Sequence, residues 1–416
     1  MWRATTSRLT AFFRDEGGFA LWRGVGQRGF SHVAAVGSLL GVASLALPWL
    51  TVRPNRLAAG QDVGLLGVAG IPLGLMIGAL WIVSLSLSLR PANGQRMYVL
   101  GAIGAFILPL SLLAAGLGAR GLLASAPAAA RASLGIAVWL SLFAVYLLLH
   151  SALSGLRDRP KARRLLSLAG PLLVVVLGVS GAFDSLSLMV EFTGNEPRFF
   201  QEVTRHLVLS LGSVALGACI AIPLGLAVAR HKRLERPTFL FSNTVETIPS
   251  LALFGLIIAP LSALSFAYPA LRDIGIRGVG AAPALIALVL YSLLPIVHNT
   301  FAGVRQVSPA ALDAGRGMGM SPRQLSWRVE YPLALPLIGE GVRTATVQSV
   351  GNTAVAALIG AGGLGHFIFQ GLGQVAPDLI LLGALAVIAL ALAIDVIARS
   401  LIHALTPKAL RTERGQ

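Results

Sequence analysis

Long apolar runs alternate with short polar segments rich in arginine and glycine from about residue 30 to residue 402. A helix of roughly 20 apolar residues crosses a bilayer, and ten candidate spans follow: 30–50, 63–89, 97–118, 132–150, 165–183, 204–229, 238–260, 279–304, 333–359 and 379–402. They predict an all-α membrane protein of about ten transmembrane helices. The first span has no small-residue cleavage site behind it, so a retained anchor is expected rather than a removed signal peptide. The stretch before it carries Phe12, Phe13, Phe19 and Trp22 among spaced arginines. It is expected to lie along the membrane surface as an amphipathic helix.

Polar positions divide the array in two. Residues 30–183 form a five-span extension with little polar content, and residues 204–402 form five spans holding most of the proline and intramembrane charge. Between them, residues 184–203 read as an extracytoplasmic connector with Glu191, Glu196 and Glu202. Residues 1–29 and 403–416 flank the array.

Composition agrees with the pattern. Hydrophobic residues make up 55% of the chain, charged residues only 12%, and the mean hydropathy is +0.78; an ordinary soluble domain carries about 25% charge. The net charge of +16 raises nucleic-acid binding as an option. The basic residues, however, sit between apolar runs. Placing both termini in the cytoplasm puts about three in four of the 33 basic residues on that side, as the positive-inside rule requires. The charge is therefore loop charge, and no nucleic-acid partner is expected.

Other chemistry is scarce. Cys219 is single, which excludes an intrachain disulfide. The seven histidines never fall at metal-ligand spacing, so neither metal nor cofactor is expected. A phosphate-binding Walker A loop needs Gly-Lys, yet Lys161, Lys232 and Lys408 follow Pro160, His231 and Pro407. The glycines at 360, 362, 363 and 365 mimic a nucleotide fingerprint but lack the strand-to-helix context, so a tight turn or gate element is the reading.

The informative polar segment is 305–332. Ser308-Pro309 starts a short helix that Gly317 and Gly319 end, and Ser321-Pro322 starts a second that stops before Pro332. Two short amphipathic helices with exposed arginines predict a compact knob suited to a groove on a soluble partner. Asp313-Ala314-Gly315, three residues, Gly319, nine residues and Val329-Glu330-Tyr331-Pro332 resemble the EAA loop of ABC importer permeases. Departures are Asp313 for Glu, Gly315 for Ala and Tyr331 for Leu. The resemblance implies that this loop docks into a separate ATPase, with Asp313, Ala314, Gly315, Arg316, Gly319, Met320, Arg323 and Pro332 as its coupling residues. It implies a type I ABC importer permease core over residues 204–402 and no enzyme activity on this chain.

Glu246-Thr-Ile-Pro-Ser-Leu-Ala-Leu-Phe-Gly255, the run from Ala282 to Pro295 and Ala356-Ala-Leu-Ile-Gly-Ala-Gly-Gly-Leu-Gly365 are similar to permeases for glycine betaine, carnitine and choline. The first half, with Arg53-Pro-Asn-Arg56 and Asp184-Ser-Leu-Ser-Leu-Met189, resembles the elongated Yeh-type osmoprotectant permeases. Where that group has Gln before Thr-Ile-Pro-Ser, this chain has Glu246. The resemblance implies a multi-pass subunit of a bacterial inner membrane, ABC ATPase partners, an extracytoplasmic substrate-binding protein and a permease homodimer in the lipid bilayer. An amino acid or other small zwitterion is the alternative substrate, and an ion-coupled secondary transporter the more distant alternative.

Five residues are candidates for the translocation path or its gating: Glu246, Pro249, Tyr291, Asn299 and Arg343. A mid-span carboxylate at Glu246 would favour a cationic substrate; a carboxyl hydrogen-bonded between helices, partnered by Arg343, is the alternative. Tyr291, His298 and Asn299 cross one span, and an aromatic face suits a quaternary ammonium. Glu340 and Arg343 share a helix face, as do Asp395 and Arg399, and both read as structural ion pairs.

Overall fold

The structure is a computed structural model that describes residues 31–56 and 58–406, divided into two compact units, 1–190 and 191–416. The expected amphipathic N-terminal helix and the end of the tail lie outside the described residues.

In the first unit, α1 (His32–Ser44) is followed by β1 (Leu50–Arg53), β2 (Gln61–Val63), α2 (Leu65–Ser88), α3 (Gly94–Leu123), β3 (Arg131–Leu134), α4 (Ile136–Ser154), α5 (Pro160–Val179) and α6 (Ser187–Gly194), which begins just before the boundary. Small residues bring the helices close. Gly101 of α3 faces Ala152 of α4 and Leu166 of α5, and Gly104 faces Leu148 and Leu149. A β-carbon at either position would press on those side chains, which is how packing tightens where lipid supplies no hydrophobic drive.

The three strands form an antiparallel sheet in the order β2–β1–β3, with Leu50 opposite both Val63 and Leu134. This departs from a wholly helical reading. Val63 and Ala132 were expected to open spans, but they are strand residues, and α2 and α4 begin at Leu65 and Ile136. Pro48, Pro54, Gly60, Gly64 and Gly135 punctuate the region, and Thr51, Val52 and Val63 are β-branched. The span expected over 30–50 shortens for the same reason to the 13-residue α1, about 20 Å of helix.

In the second unit, α7 (Glu196–Arg230) is followed by α8 (Lys232–Thr247), α9 (Ser250–Ala267), α10 (Ala270–Asp273), α11 (Ala281–Arg305), α12 (Pro309–Gly317) and α13 (Pro322–Leu325). A π turn over Ser326–Glu330 then leads into α14 (Tyr331–Ala356), and α15 (Gly365–Gly373) and α16 (Pro377–Leu405) complete it. Helix α11 is the centre, packed against α7 and α14. Gly217 and Gly225 of α7 admit Ser292 and Thr300 of α11, while Gly303 of α11 meets Ala334 of α14 and Gly341 of α14 meets Asn299.

Among the described residues, eight helices are long and apolar enough to cross a membrane: α2, α3, α4, α5, α7, α9, α11 and α16. Helix α14 has 26 residues but carries Glu340 and Arg343. The span expected over 238–260 is not one helix. Ile248 and Pro249 adopt ψ of 127° and 138°, because the proline ring disfavours helical backbone in the residue before it. The crossing therefore falls on α9, and Glu246 lies near the end of α8. The stretch expected as a polar connector is helical, formed by α6 and the first turns of α7, with Glu191 and Glu202 buried.

Candidate functional site: the 305–332 loop and the helix ends around it

The 305–332 segment folds as two short helices packed on each other. Gly315 is buried, and a β-carbon there would come within 2.5 Å of Leu325 Cδ1, with Met320 Sδ and Val329 also close. That contact leaves no room for a side chain beyond alanine unless α12 and α13 separate, and alanine itself needs Leu325 to shift. Gly319 takes φ +76°, a left-handed conformation that ends α12. Ser321 and Gln324 then close a reciprocal capping box on α13. The Ser308 hydroxyl does not cap α12; the Ser308 carbonyl accepts from Ala311 and Leu312 instead. Asp313 pairs with Arg316 at 2.6 Å, both exposed, and Ala314, Arg323, Met318 and Trp327 also face outward.

The second helix does not stop before Pro332. It continues through the π turn into α14, with Pro332 as the second residue of that helix. Arg230, the last residue of α7, closes on this junction. Its Nη2 lies 2.9 Å from Ser326 Oγ, 3.2 Å from Glu330 Oε2 and 2.7 Å from the Tyr331 hydroxyl, and its guanidinium stands 5.5 Å from the Tyr331 ring centroid. Arg305 at the end of α11 pairs with Glu235 of α8 at 3.8 Å.

The five path candidates separate into three places. Glu246, Pro249 and Tyr291 gather at the α8–α9 break. Tyr291 is buried, and its hydroxyl donates to the Ile248 carbonyl at 2.6 Å, satisfying an acceptor freed by the break. Glu246 is exposed and accepts from Gln348 Nε2 of α14 at 3.4 Å. Asn299 donates through its side-chain amide to Pro295 O at 2.8 Å on its own helix. Arg343 does not partner Glu246. It donates to Asp395 of α16 at 2.6 Å and to Glu340, and Asp395 also holds Arg399 at 2.6 Å. The two pairs expected from spacing are thus joined into one four-residue chain across two helices.

A second polar cluster was missed. Glu202, counted as a loop charge, is fully buried; its Oε2 accepts the Gly363 amide at 2.6 Å and its Oε1 pairs with Arg198 at 2.7 Å. His206 is buried beside it, with Nε2 2.9 Å from Val350 O and Nδ1 3.2 Å from the Leu364 amide. A carbonyl only accepts, so Nε2 carries the proton and Nδ1 accepts. Together they hold a turn in which Gly360, Gly362 and Gly363 all have left-handed φ. The i, i+4 spacing of Glu202 and His206 on one helix face was the available signal.

The geometry joins two features: a compact exposed knob tied to the ends of long apolar helices, and a broken helix beside a packed core. Curated relatives match about half of the chain. The "Carnitine transport permease protein OpuCB" of Listeria monocytogenes is 39% identical over 55% of this chain and 97% of that protein. The chain belongs to the permease family of ABC importers. This permease is also 38% identical to the "Glycine betaine/carnitine/choline transport system permease protein OpuCB" of Bacillus subtilis (strain 168), over 54% of the chain and 96% of that protein. It is 43% identical to the "Osmoprotectant import permease protein OsmW" of Salmonella typhimurium, over 50% and 91%.

Two family models match this permease: "ABC transporter permease YehY, N-terminal domain" over residues 29–189, and "Binding-protein-dependent transport system inner membrane component" over residues 221–411. Among solved structures, an inward-facing MetNI methionine ABC transporter superposes loosely, with a TM-score of 0.44 at 21% identity over 50% of this chain and 96% of that one. The chain is therefore a multi-pass inner-membrane transport subunit of an ABC importer, not an enzyme, and it works with ATPase and binding-protein partners.

Proposed function

We propose that this permease forms the translocation path for a small quaternary amine osmoprotectant such as glycine betaine, choline or carnitine. The observation that carries the substrate is the set of relatives named for these compounds, one of which is matched over 97% of its length. Exposed Glu246 at the α8–α9 break supports a cationic head group. Loop 305–332 is the coupling loop that docks on the ATPase, presenting Arg316, Arg323, Met318 and Trp327. Two copies of the chain pair in the bilayer with two ATPase subunits. Both termini face the cytoplasm, a reading that the excess of basic residues in the loops on that side supports. Residues 204–402 are the permease core, and residues 30–183 are a membrane extension to it.

Uptake of labelled glycine betaine, choline, carnitine and proline, with and without the gene, tests this at low and high osmolarity. Loss of a quaternary amine flux on deletion, and on ATP depletion with the proton gradient intact, is expected. Loss of proline uptake alone would move the substrate to an amino acid. Unchanged uptake of all four in an expressing strain without parallel transporters would overturn the assignment.

A further inference from the structure

We propose that Arg230 is a positioning residue that carries movement of the 305–332 loop into α7. The proposal rests on that loop being the coupling loop. Arg230 ends α7, and at His231 the backbone leaves the helix with φ −122° and ψ 96°. The guanidinium thus projects from a helix terminus onto a different part of the chain, about a hundred residues further on.

What it meets there is a matched set. Ser326 and Glu330 are the first and last residues of the π turn, and Tyr331 is the next residue. The Tyr331 amide bonds to the Ser326 carbonyl, the i to i+5 pattern that defines a π turn. That pattern sets Ser326 and Tyr331 one above the other. In an α-helix, residues five apart diverge by about 140° around the axis, and one guanidinium nitrogen could not reach both hydroxyls. The π turn therefore creates the Arg230 site, and Arg230 in turn holds the π turn.

The site is also built to change. Nη2 carries two hydrogens and faces three acceptors at 2.9, 3.2 and 2.7 Å, so the acceptors exchange rather than being satisfied together. Glu330 adds the charge and Tyr331 a ring face. A push on α12 and α13 that tightens the π turn into α-helix separates Ser326 from Tyr331 and loosens Arg230. The end of α7 is then free to move relative to α14. Because α7 packs along α11, this moves the wall of the helix bundle, and the knob's motion reaches the core by a defined contact.

The test uses the complete importer, permease with its ATPase and binding protein, in proteoliposomes, and reads ATP hydrolysed per substrate imported. Arg230→Ala is expected to raise that ratio at least threefold while the ATPase still copurifies. Arg230→Lys, a single point cation without the planar fork, is expected to fall between. If Arg230→Ala does not insert, Ser326→Ala/Tyr331→Phe removes two acceptors without touching Arg230 and is expected to raise the ratio in the same direction. An unchanged ratio, whether both rates fall together or neither moves, overturns the proposal. So does loss of the ATPase from the Arg230→Ala complex, which would make Arg230 part of the loop's fold alone. The underlying reading is tested separately by Gly315→Leu. Retention of the ATPase there defeats the coupling-loop assignment, whatever the Arg230 ratio shows.

Discussion

Arg343 of α14 donates through Nε to Asp395 of α16 at 2.6 Å, linking two helices through side chains 52 residues apart. Glu340 and Arg399 extend the link at either end, giving two positive and two negative groups. Charges inside a membrane protein persist when paired, and removing one partner is worse than removing both. Asp395→Leu alone is expected to leave Arg343 and Arg399 short of a counter-charge and to lower the melting temperature of the purified permease by roughly 2–4 °C for each kcal/mol lost. Arg343→Met/Asp395→Leu is expected to recover at least half of that loss. Equal melting temperatures for single and double variants would mean that the link contributes nothing to packing.

The Glu202 carboxylate accepts from a buried amide, Gly363, that has no strand or helix partner. Leaving such a donor unpaired costs about 1–3 kcal/mol. Glu202→Ala is expected to destabilise the second unit by that amount. Glu202→Gln, which keeps an acceptor oxygen, should lose less than half as much. Gly363→Ala tests the same turn from the other side: φ is +88° and the new carbon would lie 3.1 Å from His206 Nδ1. A loss of about 1 kcal/mol or more is expected, read by denaturation of the detergent-solubilised protein.

The sequence carried the helical class and the two short helices of the 305–332 loop, because these depend on local composition and punctuation. Glu340–Arg343 and Asp395–Arg399 were legible for the same reason, lying one turn apart. Their junction through Arg343 and Asp395 was not, since it depends on how α14 and α16 register. Glu246 was misplaced because an apolar run does not reveal where it breaks; Pro249 was visible, but the extended Ile248 before it was not. Glu202 was read as a loop charge because its partner, the Gly363 amide, lies 161 residues away. The sheet went unseen because short β-branched stretches merge with the apolar spans they precede.

Glu246 is exposed at the α8–α9 break, with Gln348 as neighbour. A carboxylate there distinguishes a cation from a zwitterion, whose own carboxylate offsets the attraction. Two unit charges about 4 Å apart in water interact by about 1 kcal/mol, roughly fivefold in rate or affinity. Glu246→Gln is expected to reduce choline uptake by about that factor while changing glycine betaine uptake less than twofold. Equal reductions would remove Glu246 from substrate discrimination.

The buried glycine in α12 gives the loop its compactness. A β-carbon on Gly315 would lie 2.5 Å from Leu325 Cδ1, so a larger side chain must drive α12 from α13. Gly315→Leu is expected to abolish copurification of the ATPase while the permease still accumulates in the membrane at half its normal level or more. Gly315→Ala, the residue of the family pattern, should retain the ATPase because Leu325 can shift by a rotamer. Retention of the ATPase by Gly315→Leu would mean that the loop is not its docking site.

Helices α7 and α11 meet where Gly217 faces Ser292, and a β-carbon on Gly217 would fall 1.8 Å from Ser292 Oγ and 3.1 Å from its Cβ. Both helices carry backbone close to this contact, so neither can withdraw without losing neighbouring ones. Overpacking of this kind costs about 1–3 kcal/mol. Gly217→Ala is therefore expected to lower stability and uptake together. Ser292→Ala removes the nearer atom and should restore part of both, leaving the 3.1 Å contact. Ser292→Gly removes both atoms but adds a helix-interior glycine, worth about 1 kcal/mol in itself. The double variants should thus rank Gly217→Ala/Ser292→Ala at or above Gly217→Ala/Ser292→Gly, and both above Gly217→Ala alone. No recovery in either double variant would mean that the cost of Gly217→Ala arises on another face of α7.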